Sequence, residues 1–192
     1  MSDRSYPVLV LLSGGLDSSC LVHYHLLQGD KVTAIYFDYG QQNSEREFQS
    51  AKAISKYYDI QLSRETLGFK INNYEGEFYC RNALFVLAAC SFLGESTSLI
   101  SLGIHSGTPY YDSTSAFVTD TQTLLNGYFG GVIRVTTPFL DYTKVQIFDY
   151  ALQEKMPVQL TYSCEIGEQE PCNLCRSCID RRMLNEKSPG KD

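Results

Sequence analysis

Residues 13–19 read Ser13, Gly14, Gly15, Leu16, Asp17, Ser18, Ser19, and their place in the chain constrains the fold more than any other feature. They follow a continuous apolar run, residues 7–12, of the kind required of a strand buried on both faces. They open a helical stretch, residues 16–28, which Gly29 suits as a C-terminal cap. Two glycines at a strand-to-helix junction let backbone amides approach an anion with no Cβ in the way. The free amides and dipole of the helix N-terminus then favour phosphate, and Ser13, Ser18 and Ser19 add hydroxyl donors. Asp17 beside a polyphosphate is expected to orient the loop or to hold Mg²⁺. The spacing is not that of a Walker loop. A Gly-rich turn with serine caps is the plainer alternative, and the strand-to-helix placement favours the nucleotide.

The remaining pattern alternates. Residues 31–38, 60–64, 98–104 and 132–136 read as strands, rich in β-branched and apolar residues. Ser44 is expected to open a helix and to form a capping box with Glu47, placing Phe48, Ala51, Ile54 and Tyr58 on one face. Residues 82–93 read as a strongly apolar, buried helix, 113–129 as a weaker helix and 143–155 as an amphipathic one. Strands alternating with helices predict an α/β fold, a Rossmann-like parallel sheet with right-handed crossovers. At 192 residues the chain can bury a core unaided. Residues 1–160 are expected to form this domain, 161–186 a short cysteine-bearing appendage packed on it, and 187–192 a frayed tail.

Four of the seven cysteines, Cys164, Cys172, Cys175 and Cys178, crowd into that appendage. Four thiolates make a closed tetrahedral Zn²⁺ site, structural rather than hydrolytic. Iron–sulfur ligation uses similar spacings and stays open. Cys20 and Cys90 fall in apolar helices as core filler. An odd cysteine count argues against a disulfide framework. The net charge of −6 argues against non-specific nucleic-acid binding. The early apolar run is too short to span a bilayer and lacks the flanks of a signal peptide, so a cytoplasmic location is expected.

The phosphate loop resembles the PP-loop of the ATP pyrophosphatases. Together with the cysteine cluster, in this order, it resembles the QueC (7-cyano-7-deazaguanine synthase) family over nearly the whole chain. Asp38, Tyr39, Gly40 and Gln41 resemble the family's DYGQ segment, and Arg81 and Asn82 its RN motif. Gly103 ends a strand as in its G-x-N region, and Thr143 and Lys144 resemble its TK pair. Pro171, Cys172, Cys175, Cys178 and Arg181 resemble its zinc segment. The resemblance implies a PP-loop fold of the adenine nucleotide alpha hydrolase type. It also implies adenylation of the carboxylate of 7-carboxy-7-deazaguanine by MgATP, attack by ammonia to give an amide, and a second ATP-dependent step to the nitrile.

Under that resemblance Asp17, Lys144 and Arg81 are the catalytic candidates. Residues 13–19 with Phe37, Tyr39, Gly103 and Lys144 bind ATP, and Gln41, Arg81, Asn82, His105, Tyr111 and Asp112 face the substrate. Taken singly, Lys144 reads as a solvated lysine at a helix start and Arg81 as a surface ion-pair partner. Phe37 and Tyr39 serve equally as core aromatics, His105 as a structural histidine, and Asp112 as a cap for the helix that Ser113 or Thr114 begins.

The sequence departs from the family pattern in two stretches. Phe78, Tyr79 and Cys80 precede Arg81 where the family has Pro-x-Arg-Asn, and His105 stands at the family's Asn. The next Asp of the pattern is missing and Ser113 replaces its Cys. The chain is also somewhat short. The ATP half of the expected site is therefore intact and the acceptor half altered. That pattern leaves open a divergent QueC-like enzyme of anti-phage systems that joins a deazaguanine to a protein amine. Two further readings are a tRNA-modifying PP-loop enzyme and a non-catalytic zinc module. A homodimer is the common outcome for a soluble enzyme.

Overall fold

The computed structural model describes residues 5–68, 78–94, 96–166 and 170–187. Five strands form one all-parallel sheet: β1 (Pro7–Leu11), β2 (Lys31–Asp38), β3 (Gln61–Thr66), β4 (Leu99–Ser101) and β5 (Arg134–Thr136). Their spatial order is β3-β2-β1-β4-β5. The helices are α1 (Leu16–Leu27), α2 (Ser44–Tyr57), α3 (Arg81–Ala89), α4 (Ser115–Phe129), α5 (Lys144–Gln153) and α6 (Arg176–Lys187). Among the described residues no helix is long and apolar enough to cross a membrane.

The period-2 geometry of β1 explains its unbroken apolar run. Val8, Val10 and Leu12 point into a core shared with α1, α2 and α5, through residues such as Leu21, Ile54 and Ile147. Leu9 and Leu11 point into the opposite core with Val86 of α3 and Phe117 and Leu125 of α4. The result is three layers. The strand order also reverses at β1: the chain first builds outward through β2 and β3, then returns to lay β4 on the other side of β1. Such a switch point opens a crevice at the carboxyl ends of the strands.

The expected elements are present, with differences at their edges. The helix at residue 44 forms, but its N-cap is Asn43 and makes no side-chain cap bond. The expected Ser44–Glu47 capping box is absent because Glu47 instead accepts from Asn43 Nδ2 at 2.8 Å and Gln41 Nε2 at 3.0 Å. A complete capping box occurs at Thr143 and Gln146, where α5 begins. The helix expected over 82–93 ends earlier, in a 3-10 turn at Cys90–Phe92, and is buried on one side only; Leu87 is 39% exposed. It meets the sheet through Val86 and Ala89 alone among its fully buried residues. Cys20 is core filler as expected, 0% exposed, whereas Cys90 is only half-buried. The expected tail begins at Lys187, and residues 188–192 lie outside the described residues.

His25 bridges Asp30 at 2.8 Å and Ser101 at 2.9 Å. Asp30 also accepts from the backbone of Tyr6. The residue types are those of a hydrolase triad, but His25 and Ser101 are sealed in the interior. The constellation locks the end of α1 to β2 and β4.

Gly14 is the tightest backbone position. Its φ is +81°, and a Cβ there would lie 2.5 Å from the carbonyl oxygen of Glu47. Gly29 has a similar φ of +79° and open space around it. Replacing each by alanine separates conformation from contact. Gly29→Ala is expected to cost about 1 kcal/mol and Gly14→Ala about 3 kcal/mol or more, measured by urea unfolding.

Candidate active site

The crevice at the switch point is a cleft of about 1690 Å³. Its floor is the turn between β1 and α1. Gly15 caps α1 in an extended conformation with no side-chain cap bond. Ser18 and Ser19 turn their hydroxyls back to the Gly15 carbonyl at 3.1 and 2.8 Å, and Ser13 meets Ser18 at 3.0 Å. Ser13, Gly15, Leu16, Asp17 and Ser18 line the cleft. Gly14 and Ser19, also assigned to the nucleotide from the sequence, do not. Gly14 faces α2 and Ser19 is sealed beneath the loop, so both shape the turn.

The other strands add their loops to the same opening. Gly103 follows β4, and a Cβ there would press on the backbone of Asp17 and Ser18 at 3.2–3.4 Å. Glycine therefore lets the β4 loop close onto the first turn of α1. Past β5, the capping box fixes the start of α5 and directs Lys144 onto Asp17 Oδ2. The other oxygen of Asp17 is buried and unpartnered. His105 Nε2 stands 4.0 Å from Asp17 Oδ2. Its Nδ1 lies 2.7 Å from the Ser106 carbonyl and donates to it.

An aromatic wall closes the β2 side. Tyr39 stacks on Phe78 with centroids 5.8 Å apart, and Phe37 on Phe85 at 5.4 Å. Phe37 belongs to the core as well as to the cleft lining. Burial pushes the Tyr39 hydroxyl up, against the opposing pull of the nearby Arg81 guanidinium. Glu47 lies below this wall, where burial holds its carboxyl above the usual range against the donors Gln41, Asn43 and Tyr36.

Several residues expected to face the substrate engage one another. Asn82 donates to Asp112 through its backbone N–H at 3.3 Å and reaches the Asp112 carbonyl at 3.1 Å. Asp112 thus anchors the start of α3, and Thr114 is what caps α4. Gln41 spends its amide inside its own loop, on Tyr36, Phe37, Tyr39 and Glu47. Tyr111 donates to Asp120. Cys80 caps α3 in a left-handed conformation, φ 61°, an uncommon state for a residue with a Cβ.

Phe78, Phe85, Glu47 and Arg181 line the cleft, and the sequence reading assigned none of them to the site. Phe85 had a usable signal, since it lies one helical turn from Arg81.

Cys164, Cys172, Cys175 and Cys178 bring their sulfurs within 4.8 Å of one another. Sulfurs around one tetrahedral ion at 2.3 Å would stand roughly 3.8 Å apart, and the Cys172–Cys178 separation is 3.9 Å. Backbone N–H groups of Leu174 and Cys175 point at the Cys172 sulfur at 3.4 and 3.3 Å. Burial opposes ionisation of Cys164, yet the N–H groups of Cys172 and Ile166 bring its thiol down to about 6. Burial and the neighbouring sulfurs push Cys178 up to about 12. Four clustered thiols cannot all ionise without a cation, so the group fits a metal ion. No cysteine of the group lines the cleft.

The sequence matches the family described as "Queuosine biosynthesis protein QueC" over residues 7–77 and 78–187. The chain belongs to the QueC family. QueC relatives named 7-cyano-7-deazaguanine synthase align over nearly the whole chain. The one from Prochlorococcus marinus strain MIT 9312 is 29% identical over 97% of this chain and 96% of its own. That from strain NATL2A is 31% identical over 94% of each. One from Campylobacter jejuni is 28% identical over 98% of this chain and 97% of its own. The fold is that of the PP-loop ATPases. The U34-tRNA thiolase NcsA of Methanococcus maripaludis superposes with a TM-score of 0.57 at 12% identity, over 96% of this chain and 66% of that one. A 4-thiouridine synthetase solved with RNA and ATP superposes at 0.54 and 15% identity, over 94% and 50%.

Replacing Cys175 by serine is expected to strip the cluster of its metal and to lower the thermal midpoint by about 10 °C. Metal content of the purified chain and a thermal melt check this. A variant that melts with the wild type would show the cluster to be dispensable for the fold.

Proposed function

We propose that this chain is an AMP-forming ligase that converts 7-carboxy-7-deazaguanine to 7-cyano-7-deazaguanine with ATP and ammonia. One observation carries the reading: the phosphate loop, the Asp17–Lys144 pair and the Arg81–aromatic wall all face one cleft. Its volume, about 1690 Å³, exceeds the roughly 300–1,000 Å³ of a typical single-ligand pocket and suits a nucleotide with an acceptor beside it.

The chemistry follows from placement. The amides at the start of α1 receive the β- and γ-phosphates, and the hydroxyls of Ser13 and Ser18, which line the same floor, would have to turn from each other and from the Gly15 carbonyl to join them. Lys144 stabilises charge on the departing pyrophosphate, and Asp17 holds the lysine in line. The unpartnered Asp17 Oδ1 fits Mg²⁺, which would offset phosphate charge. Tyr39 and the ring of Phe78 offer stacking surface to a purine-like ring. Arg81 suits the acceptor carboxylate, because its planar fork matches two oxygens.

That carboxylate attacks the α-phosphorus, and the P–O bond to pyrophosphate breaks. A carboxylate is a poor electrophile, whereas its acyl-adenylate carries a good leaving group. Ammonia attacks the acyl carbon and AMP leaves with the C–O electron pair, giving the amide. The amide oxygen is adenylated in a second round. Loss of AMP and the amide protons then leaves the nitrile. The protein contributes mainly position and charge. His105, whose Nε2 stands beside Asp17 at the cleft, is placed to take up a proton released in the amide step.

Zinc is the ion this reading assigns to the cysteines. Four sulfurs around a single ion lie closer together than thiolates spread over four irons, and the cluster does not open on the cleft where thiolation would occur.

Mass spectrometry of products from purified protein, MgATP and 7-carboxy-7-deazaguanine tests the proposal. AMP, pyrophosphate and the nitrile are expected, the nitrile only with ammonia present. No AMP at all would sink it, and an activated deazaguanine without amide would replace ammonia by another nucleophile. Lys144→Ala and Asp17→Ala are each expected to cut pyrophosphate release by about 100-fold or more while leaving the fold intact.

A further inference from the structure

Arg181 is a cation that the preceding mechanism does not use. It sits on α6 one turn after the cluster ligand Cys178, and it lines the nucleotide cleft. Its guanidinium donates to Thr161 Oγ1 at 2.9 Å and to the Val158 carbonyl at 2.8 Å, and it lies over the Phe148 ring at 5.9 Å. These partners are neutral. Among the described residues no carboxylate comes within ion-pair distance of it. Burial depresses its proton affinity, and Asp17 is near enough to oppose that. A half-buried guanidinium with neutral partners carries a desolvation cost that an anionic ligand would offset.

The surroundings say which ligand. The segment that Arg181 grips runs beside the phosphate loop: the Tyr162 N–H donates to the Gly14 carbonyl at 2.9 Å, and Ser50 Oγ reaches both Gly14 and Leu160 carbonyls. The Tyr162 carbonyl lies 3.8 Å from where a Gly15 Cβ would stand. Arg181 is therefore fastened one residue away from the strand of chain that fixes the loop. Lys144 is already matched by Asp17, and Arg176, at the start of α6, also lines the cleft but is exposed. Arg81 stands across the cleft against Tyr39. A polyphosphate on the loop needs a further positive charge on the loop side, and Arg181 supplies it.

We propose that Arg181 binds the β,γ-pyrophosphate portion of the nucleotide, and that the four-cysteine cluster serves the active site by holding α6 where this contact is made. The inference rests on the phosphate-loop reading above.

Isothermal titration of the metal-loaded full chain tests it, with Mg²⁺-pyrophosphate, MgATP and AMP as probes. Arg181→Met keeps a stem over Phe148 and removes the charge. Pyrophosphate and ATP are expected to bind about 10- to 100-fold more weakly, the range for loss of one charge-assisted contact, with AMP within about twofold of wild type. Unchanged pyrophosphate affinity, or an equal loss for AMP, would overturn the assignment. Wild-type protein that binds neither ATP nor pyrophosphate would overturn the phosphate-loop reading and this inference with it. Should Arg181→Met not fold, the Nε–H resonance of Arg181 in the wild type, assigned with Arg181→Lys, is expected to shift when Mg²⁺-pyrophosphate is added. A resonance that stays in place while pyrophosphate binds would count decisively against the contact.

Discussion

The backbone of Gly14 is the point on which the cleft depends. Its left-handed conformation turns the chain from β1 into α1, and its lack of a Cβ lets α2 come against it. Its carbonyl is then held by Ser50 from α2 and by the Tyr162 backbone. A loop fixed on both sides presents its amides at little reorganisation cost, which is what preorganised phosphate binding requires. Gly103 repeats the device on the opposite wall, where close approach rather than backbone sign demands glycine.

Much of this was legible because it is local. The apolar run of β1, the Gly-Gly turn and the helix that follows carry their own physical reasons, and the cysteine spacing announced a four-sulfur cluster. The misreadings came from competition among side chains. Ser44 and Glu47 have the spacing of a capping box, but Glu47 is held by Gln41, Asn43 and Tyr36. Asp112 looks like a cap for its own helix and instead holds the start of α3, thirty residues earlier in sequence. Pairings of that kind depend on which loops meet in space, and no periodicity reports them. Arg181 was visible only as part of a cysteine motif; its relation to the phosphate loop appears once 158–162 is seen lying between them.

The two halves of the cleft are built differently. On the phosphate side, contacts are short, backbone-based and anchored in the sheet. On the acceptor side they are side chain to side chain, among Tyr39, Phe78, Phe85, Arg81, Asn82 and Asp112, and the entry to α3 passes through the left-handed Cys80. The departures from the family pattern at residues 78–80 and Ser113 fall on this second side, whereas His105 stands beside Asp17. A wall made of mutually supporting side chains can change its composition without disturbing the Gly14 loop.

Asn43 gives its two amide hydrogens to Glu47 and to the Cys164 carbonyl, a contact spanning 121 residues. With the Tyr162–Gly14 bond it means that the first loop of the chain is braced by a segment made long afterwards. During synthesis the phosphate loop leaves the ribosome well before its braces do. A nascent chain therefore carries the glycine turn without the architecture that holds it, and the braced loop arrives late, together with the cysteines. The shape of the cleft floor is in effect audited by residues 160–164, far along the chain.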